Sequence, residues 1–141
     1  MTKTVLRKTI YLQATPEKVW EFLTDPDRLA SWFHRPQNPL TPGEALEMQG
    51  SDSGDLIIWG EVLQARAPEY LEYSFCIKPM GDAVSIVKWT LAPVQGGTQL
   101  SLEHEGLPQE AEAFGMILSL DKGWDEHFVD LRTKLHAIVV G

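Results

Sequence analysis

Residues 119–138, SLDKGWDEHFVDLRTKLHAI, decide the fold. Leu120, Trp124, Phe128, Leu131, Leu135 and Ile138 recur at spacings of 4, 4, 3, 4 and 3, the period of an α-helix with one unbroken apolar face. Ser119 stands where an N-cap belongs. Asp121, Asp125 and Glu126 come early and Arg132 and Lys134 late, the sense that a helix dipole favours. About 20 residues at 1.5 Å per residue make a rod of roughly 30 Å. Such a helix needs a broad apolar surface to lie on.

The preceding chain supplies one. Five stretches, 44–49, 56–64, 70–78, 84–92 and 98–105, read as strands, separated by the Gly/Pro-rich breaks GSDSGD, AP, PMGD and QGG. In the last three the apolar side alternates cleanly: Leu71, Tyr73 and Phe75; Val87, Trp89 and Leu91; Leu100, Leu102 and His104. Their neighbours Glu72, Ser74, Lys88, Thr90, Ser101 and Glu103 are polar, so one face is buried and one wet, as in an antiparallel meander. A sixth strand is expected over 5–13, with Lys8 interrupting its apolar series, which suits a frayed start or an edge. Between the first and second strands Thr15-Pro16-Glu17 opens a short helix carrying Val19, Trp20, Phe22 and Leu23. Asp25-Pro26 interrupts it, and a second short helix runs from 27 to about 32, turning Leu29, Trp32 and Phe33 inward. Residues 34–43, with three prolines, read as a loop. The order β–α–α–β5–α is that of an α+β two-layer domain spanning 1–141.

Composition narrows the function. Twenty acidic against twelve basic residues give a net charge of -8, which argues against nucleic acid and anionic lipid as partners. The acids are uneven: residues 101–130 hold eight acidic and one basic residue, read as a solvated face, with docking of a basic partner as the alternative. A lone cysteine, Cys76, excludes an internal disulfide and suits a reducing cytoplasm; its parity puts it near the sheet surface. No apolar run is long enough for membrane insertion, and the N-terminus lacks an apolar signal core. His104-Glu105 has no second histidine at zincin spacing, so no metal is expected. No nucleophile elbow or phosphate loop is present.

The segment TIYLQATPEKVWEFLTDPDRLASWF (9–33) carries Ala14, Pro16, Glu17, Val19 and Trp20, then Leu23 to Pro26, then Leu29, Trp32 and Phe33. Later come Trp59-Gly60-Glu61-Val62, Trp89-Thr90-Leu91, His104-Glu105-Gly106 and Gly123-Trp124. In this order and over nearly the whole chain, the pattern resembles the activator of heat-shock-protein-90 ATPase homologue-like family. That family lies within the START/Bet v-type helix-grip superfamily, also labelled polyketide cyclase/dehydrase and lipid transport. The resemblance implies a curved six-stranded antiparallel sheet wrapped around the long C-terminal helix, with an apolar cavity between them. It carries over no catalytic motif and no cofactor.

These readings lead to a binding protein for a small hydrophobic or amphipathic ligand. The expected lining is Tyr73, Phe75, Trp89, Leu102 and His104 from the sheet, and Trp124, Phe128 and Leu131 from the helix. Trp32 and Phe114 are placed near the opening, and the Gly115-containing segment 108–118 is read as a lid. Inward aromatics with a few polar tips describe a small-molecule pocket, although each alone equally serves as core. A cofactor-free cyclase- or dehydratase-like enzyme using His104 and Tyr73 for acid/base chemistry is the first alternative. A chaperone-associated interaction module is the second, and a homodimer is a further partner state.

Overall fold

The computed structural model describes residues 4–50, 54–108 and 110–140. Its elements are β1 (Leu6–Leu12), α1 (Pro16–Thr24), α2 (Pro26–Trp32), β2 (Arg35–Pro36), β3 (Ala45–Gln49), β4 (Leu56–Arg66), β5 (Tyr70–Phe75), β6 (Ser85–Val94), β7 (Gly97–Glu105) and α3 (Phe114–Val140), with 3-10 turns at Lys78–Met80 and Ala111–Ala113. The strands form one antiparallel sheet in the order β1-β7-β6-β5-β4-β3-β2. This is the expected α+β architecture with one more strand than the six expected. The extra one, β2, is a two-residue piece of the 34–43 loop that pairs with β3 through Arg35↔Gln49 and Pro36↔Met48. A segment that short has no alternation to read. Residues 51–53 of the expected GSDSGD break lie outside the described part.

The curl of the sheet has local causes. Register shifts leave Leu63 unpaired opposite β5 and Ile57 unpaired opposite β3, so β4 carries two bulges, which bend a strand and add twist. At Gly60 a Cβ would stand 2.1 Å from the Ser74 carbonyl oxygen, so only glycine lets β4 and β5 approach this closely. The Ser74 hydroxyl accepts from the Glu61 backbone N–H at 2.8 Å beside it.

The two short helices follow from their caps. Thr15 Oγ1 accepts from the Lys18 N–H to start α1, and the carboxylate of Asp25 accepts from the Arg28 N–H to start α2. Asp25 also ends α1, its extended backbone donating to the Glu21 carbonyl. One Asp-Pro pair therefore stops one helix and starts the next.

Helix α3 begins at Phe114, five residues before the expected start. Ser119 is not its cap: its hydroxyl donates back to the Gly115 carbonyl at 3.1 Å, four residues earlier. Buried Ile117 explains the difference, since it extends the Leu120–Trp124 stripe backward at helical spacing. Within the 108–118 segment, read as a lid, residues 111–113 form a 3-10 turn and 114–118 the first turn of α3, so it is helical rather than a loop; Gln109 lies outside the described part. Along the stripe Trp124, Phe128, Leu131 and Leu135 are buried and Leu120 packs partly against the core; the Ile138 side chain lies outside the described part.

Lys8 breaks the apolar series of β1 for a structural reason. β1 is indeed an edge strand, and the Lys8 ammonium reaches Asp121 at 2.6 Å and Asp125 at 3.0 Å on α3. Burial depresses its pKa, but the two carboxylates outweigh that and raise it. At the far end, the Gln13 N–H donates to His136 Nε2 at 2.9 Å. α3 is thereby fastened to the edge strand and the residue after it at two points, Asp121/Asp125 and His136.

Trp124→Ala is expected to cost about 3–5 kcal/mol in urea unfolding, because the ring is 2% exposed and contacts both layers. A loss under about 1 kcal/mol, the scale of surface changes, would contradict the packing described.

Candidate functional site

Three inward indoles set the interior. Trp32, Trp89 and Trp124 converge, with ring centroids 6.2 Å apart for Trp32–Trp89 and 5.6 Å for Trp89–Trp124, both edge-on. A buried indole must place its N–H. Trp32 donates to the Phe22 carbonyl at 2.8 Å, Trp89 to the Tyr73 hydroxyl at 3.0 Å, and Trp124 to His104 Nδ1 at 3.1 Å.

The last of these dictates the state of His104. Because Nδ1 accepts, the proton of the neutral ring is on Nε2, which donates to Ser85 Oγ at 2.8 Å. The Ser85 hydroxyl in turn donates to the Phe75 carbonyl at 2.6 Å. A continuous hydrogen-bond chain thus links α3, β7, β6 and β5. Burial pushes the His104 pKa down to about 4, so the ring is neutral at physiological pH. Both nitrogens are engaged, which leaves none for acid/base work. Tyr73 is equally enclosed, and burial raises its pKa. The sequence argument that these two polar groups need a cavity or a ligand therefore does not hold: tryptophan N–H groups and Ser85 satisfy them. Trp89, Leu102 and Leu131 are at most 1% exposed, and Trp32 and Phe128 are buried around them. This layer is packed core.

The open volume lies beside it. A cleft of about 280 Å³ runs between the N-terminal half of α3 and the β4–β5 end of the sheet. Phe75 and Trp124 form its floor; Ile57, Ile58 and Ile77 form the sheet wall; Phe33 closes the α2 side, stacked on Trp124 at 5.3 Å. Ser119, Leu120, Gly123 and His127 line the helix side, and His34 stands opposite. Of the ten residues expected as lining, Phe75 and Trp124 reach this cleft. Tyr73, Trp89, Leu102, His104, Phe128, Leu131 and Trp32 support it from behind. Phe114 is 58% exposed at the start of α3 and lines nothing here.

Besides the Ser119 hydroxyl, which donates to the Gly115 carbonyl, its polar side chains are two imidazoles. His127 Nδ1 lies 3.1 Å from the Trp32 carbonyl oxygen; a carbonyl only accepts, so Nδ1 carries the proton and the neutral ring keeps a lone pair on Nε2. Burial lowers the His127 pKa, partly offset by that hydrogen bond and by Asp130 and Glu126. The His34 ring centroid is 5.4 Å from that of His127, and its Nδ1 is buried without a hydrogen-bond partner. Burial, then the neighbouring His127, pushes the His34 pKa down to about 4. The sequence did carry a signal for His127, which falls three residues after Trp124 and seven after Leu120 on the same helical face. For His34 and the isoleucine wall there was none: packing of α2 on α3 brings His34 to His127, and strand pairing at Trp59↔Cys76 brings the isoleucines together.

Cys76 is buried, against the expected surface position, because β5 ends at Phe75 and the chain pairs Cys76 with Trp59 before the turn that buries Met80. Among the described residues no group of three or more His, Cys, Asp or Glu could hold a metal ion, and no helix is long and apolar enough to cross a membrane.

A curled antiparallel sheet gripping one long C-terminal helix, with two short helices closing an end, defines the helix-grip class. The model of the Activator of Hsp90 ATPase homolog 1-like proteins matches residues 13–136, and the chain belongs to that family. Among curated proteins none matches. Similar solved structures include a protein from Mesorhizobium loti, at TM-score 0.83 and 25% identity over 95% of this chain and 98% of that one. DynU16, a protein in the dynemicin biosynthetic locus, has TM-score 0.83 and 24% identity over 96% of this chain but 48% of its own length. The Aha1 dimer from Colwellia psychrerythraea has TM-score 0.76 and 16% identity, over 94% and 96%.

The histidine environments set a pH dependence. His104 has a folded pKa near 4 against an ordinary 6.5. The unfolded chain therefore binds the extra proton between those values, and stability falls as pH drops through that window. His104 alone is expected to remove about 2 kcal/mol between pH 8 and pH 5, read by urea unfolding. Its imidazole resonances should stay constant down to pH 5. Titration near 6.5 would show a solvated ring and break the chain described.

Proposed function

We propose that the protein binds a small hydrophobic or amphipathic molecule, acting as a single helix-grip domain of the cytoplasm without a cofactor. The observation that carries this reading is the cleft at the mouth of the grip. Its volume of about 280 Å³ is at the lower edge of the roughly 300–1,000 Å³ typical of ligand pockets, and its walls are apolar and aromatic with few polar atoms. The ligand-binding residues are then Phe75 and Trp124, joined by Phe33, Ile57, Ile77 and His127. The buried layer of Tyr73, Trp89, His104 and Phe128 holds the floor rigid. The occurrence of DynU16 in the dynemicin biosynthetic locus supports a small-molecule role for this fold. The alternative of catalysis by His104 and Tyr73 has no support in their enclosed geometry.

A second copy of the chain is a further partner in this reading. The Colwellia relative is a dimer, and α3 exposes Phe114, Leu118 and Val129 along one outer line. Light scattering at micromolar concentration is expected to give twice the monomer mass, and Val129→Glu is expected to return it to one.

The cleft itself is tested by filling it. A Cβ on Gly123 would meet nothing within 4 Å, so Gly123→Leu projects a side chain into the cleft without disturbing the core. Replacing a mid-helix glycine also removes a helix penalty of about 1 kcal/mol. The expected result is a melting temperature at or above wild type together with loss of saturable binding of an apolar probe such as naphthalene. Unchanged binding in Gly123→Leu would place the ligand elsewhere.

A further inference from the structure

We infer that the cleft selects a neutral ligand with one protic group, a phenol- or alcohol-type hydroxyl on an apolar ring system, and that His127 Nε2 accepts a hydrogen bond from that hydroxyl with His34 alongside. The inference rests on the cleft being the binding site and specifies what that site takes. Its first support is the fixed orientation of His127. The Trp32 carbonyl holds the Nδ1–H, so the neutral ring offers the cleft an acceptor and no second donor. An apolar ligand would leave that lone pair desolvated, and a carbonyl-only ligand would face it with another acceptor. A hydroxyl pairs with it.

The second support is charge. Among the described residues no lysine or arginine lines the cleft, both imidazoles are held neutral by burial, and the chain carries a net charge of -8. A carboxylate would enter an apolar cleft without a compensating cation, which is costly. That excludes fatty-acid-like anions and leaves neutral protic molecules. The third support is His34, whose Nδ1 is buried without a partner 5.4 Å, ring to ring, from His127. Buried polar atoms normally find partners, so the His34 ring is an unsatisfied polar group in the cleft wall beside His127.

Calorimetric titration at pH 7.5 with 2-naphthol, its ether 2-methoxynaphthalene and the anion 2-naphthoate separates the possibilities. The expected order is 2-naphthol about tenfold tighter than the ether, equivalent to about 1.4 kcal/mol, with 2-naphthoate weakest. In His127→Asn the amide can still donate to the Trp32 carbonyl while the Nε2 acceptor is gone, so the tenfold preference is expected to vanish and ether binding to persist. Equal affinities for naphthol and ether in the wild-type protein would overturn the hydroxyl inference and leave the binding cleft standing; tighter 2-naphthoate would likewise overturn it. Absence of saturable binding by all three would overturn both.

Discussion

The Trp124 indole is wedged between helix and sheet, and its N–H must be paired there. Its partner, His104, is forced into one tautomer, which turns Nε2 toward Ser85 and Ser85 toward the backbone of β5. One donor thereby fixes the relative position of α3 and three strands. Buried polar chains of this kind are useful only when every member is satisfied. Here the chain ends on a carbonyl, and no member is left over.

That closure explains where open volume can exist. The same aromatics that would line a central cavity instead fill the space between sheet and helix, edge-on and at centroid separations of 5.6, 5.8 and 6.2 Å. The cleft appears one layer further out, where β4 curls away at its bulge and α3 presents Gly123 rather than a side chain. A rigid floor of Trp124 and Phe75 below a mouth of isoleucines and imidazoles gives the cleft its shape. The Lys8 bridge to Asp121 and Asp125 and the His136 contact with Gln13 fasten α3 to the other edge of the sheet, so the grip is closed on one side and open on the other.

Much of the fold was legible from local rules. The 3.6-residue stripe of α3, the period-2 alternation of β5, β6 and β7, and the Thr15-Pro16 and Asp25-Pro26 caps each depend on near neighbours in sequence. Errors fell where a signal was too short or was shared between elements: the two residues of β2, the first turns of α3, and the end of β5 at Phe75. The candidate site was legible only in part. Parity correctly turned Tyr73, Trp89 and His104 inward, but inward parity does not distinguish a filled core from a lined cavity.

By itself the sequence determined which residues form each element and which face of each is apolar, because these follow from backbone periodicity and capping. The tertiary structure alone decided which inward groups satisfy one another and which remain open to a ligand. His104 looked available and is sealed by Trp124 and Ser85, residues 20 and 19 positions away. His34 and His127, 93 positions apart, meet at the cleft because α2 packs on α3, with the His127 Nδ1–H donating to the carbonyl of Trp32, two residues before His34. Hydrogen-bond pairing and void volume depend on the distance between elements, and no local pattern in a chain encodes that distance.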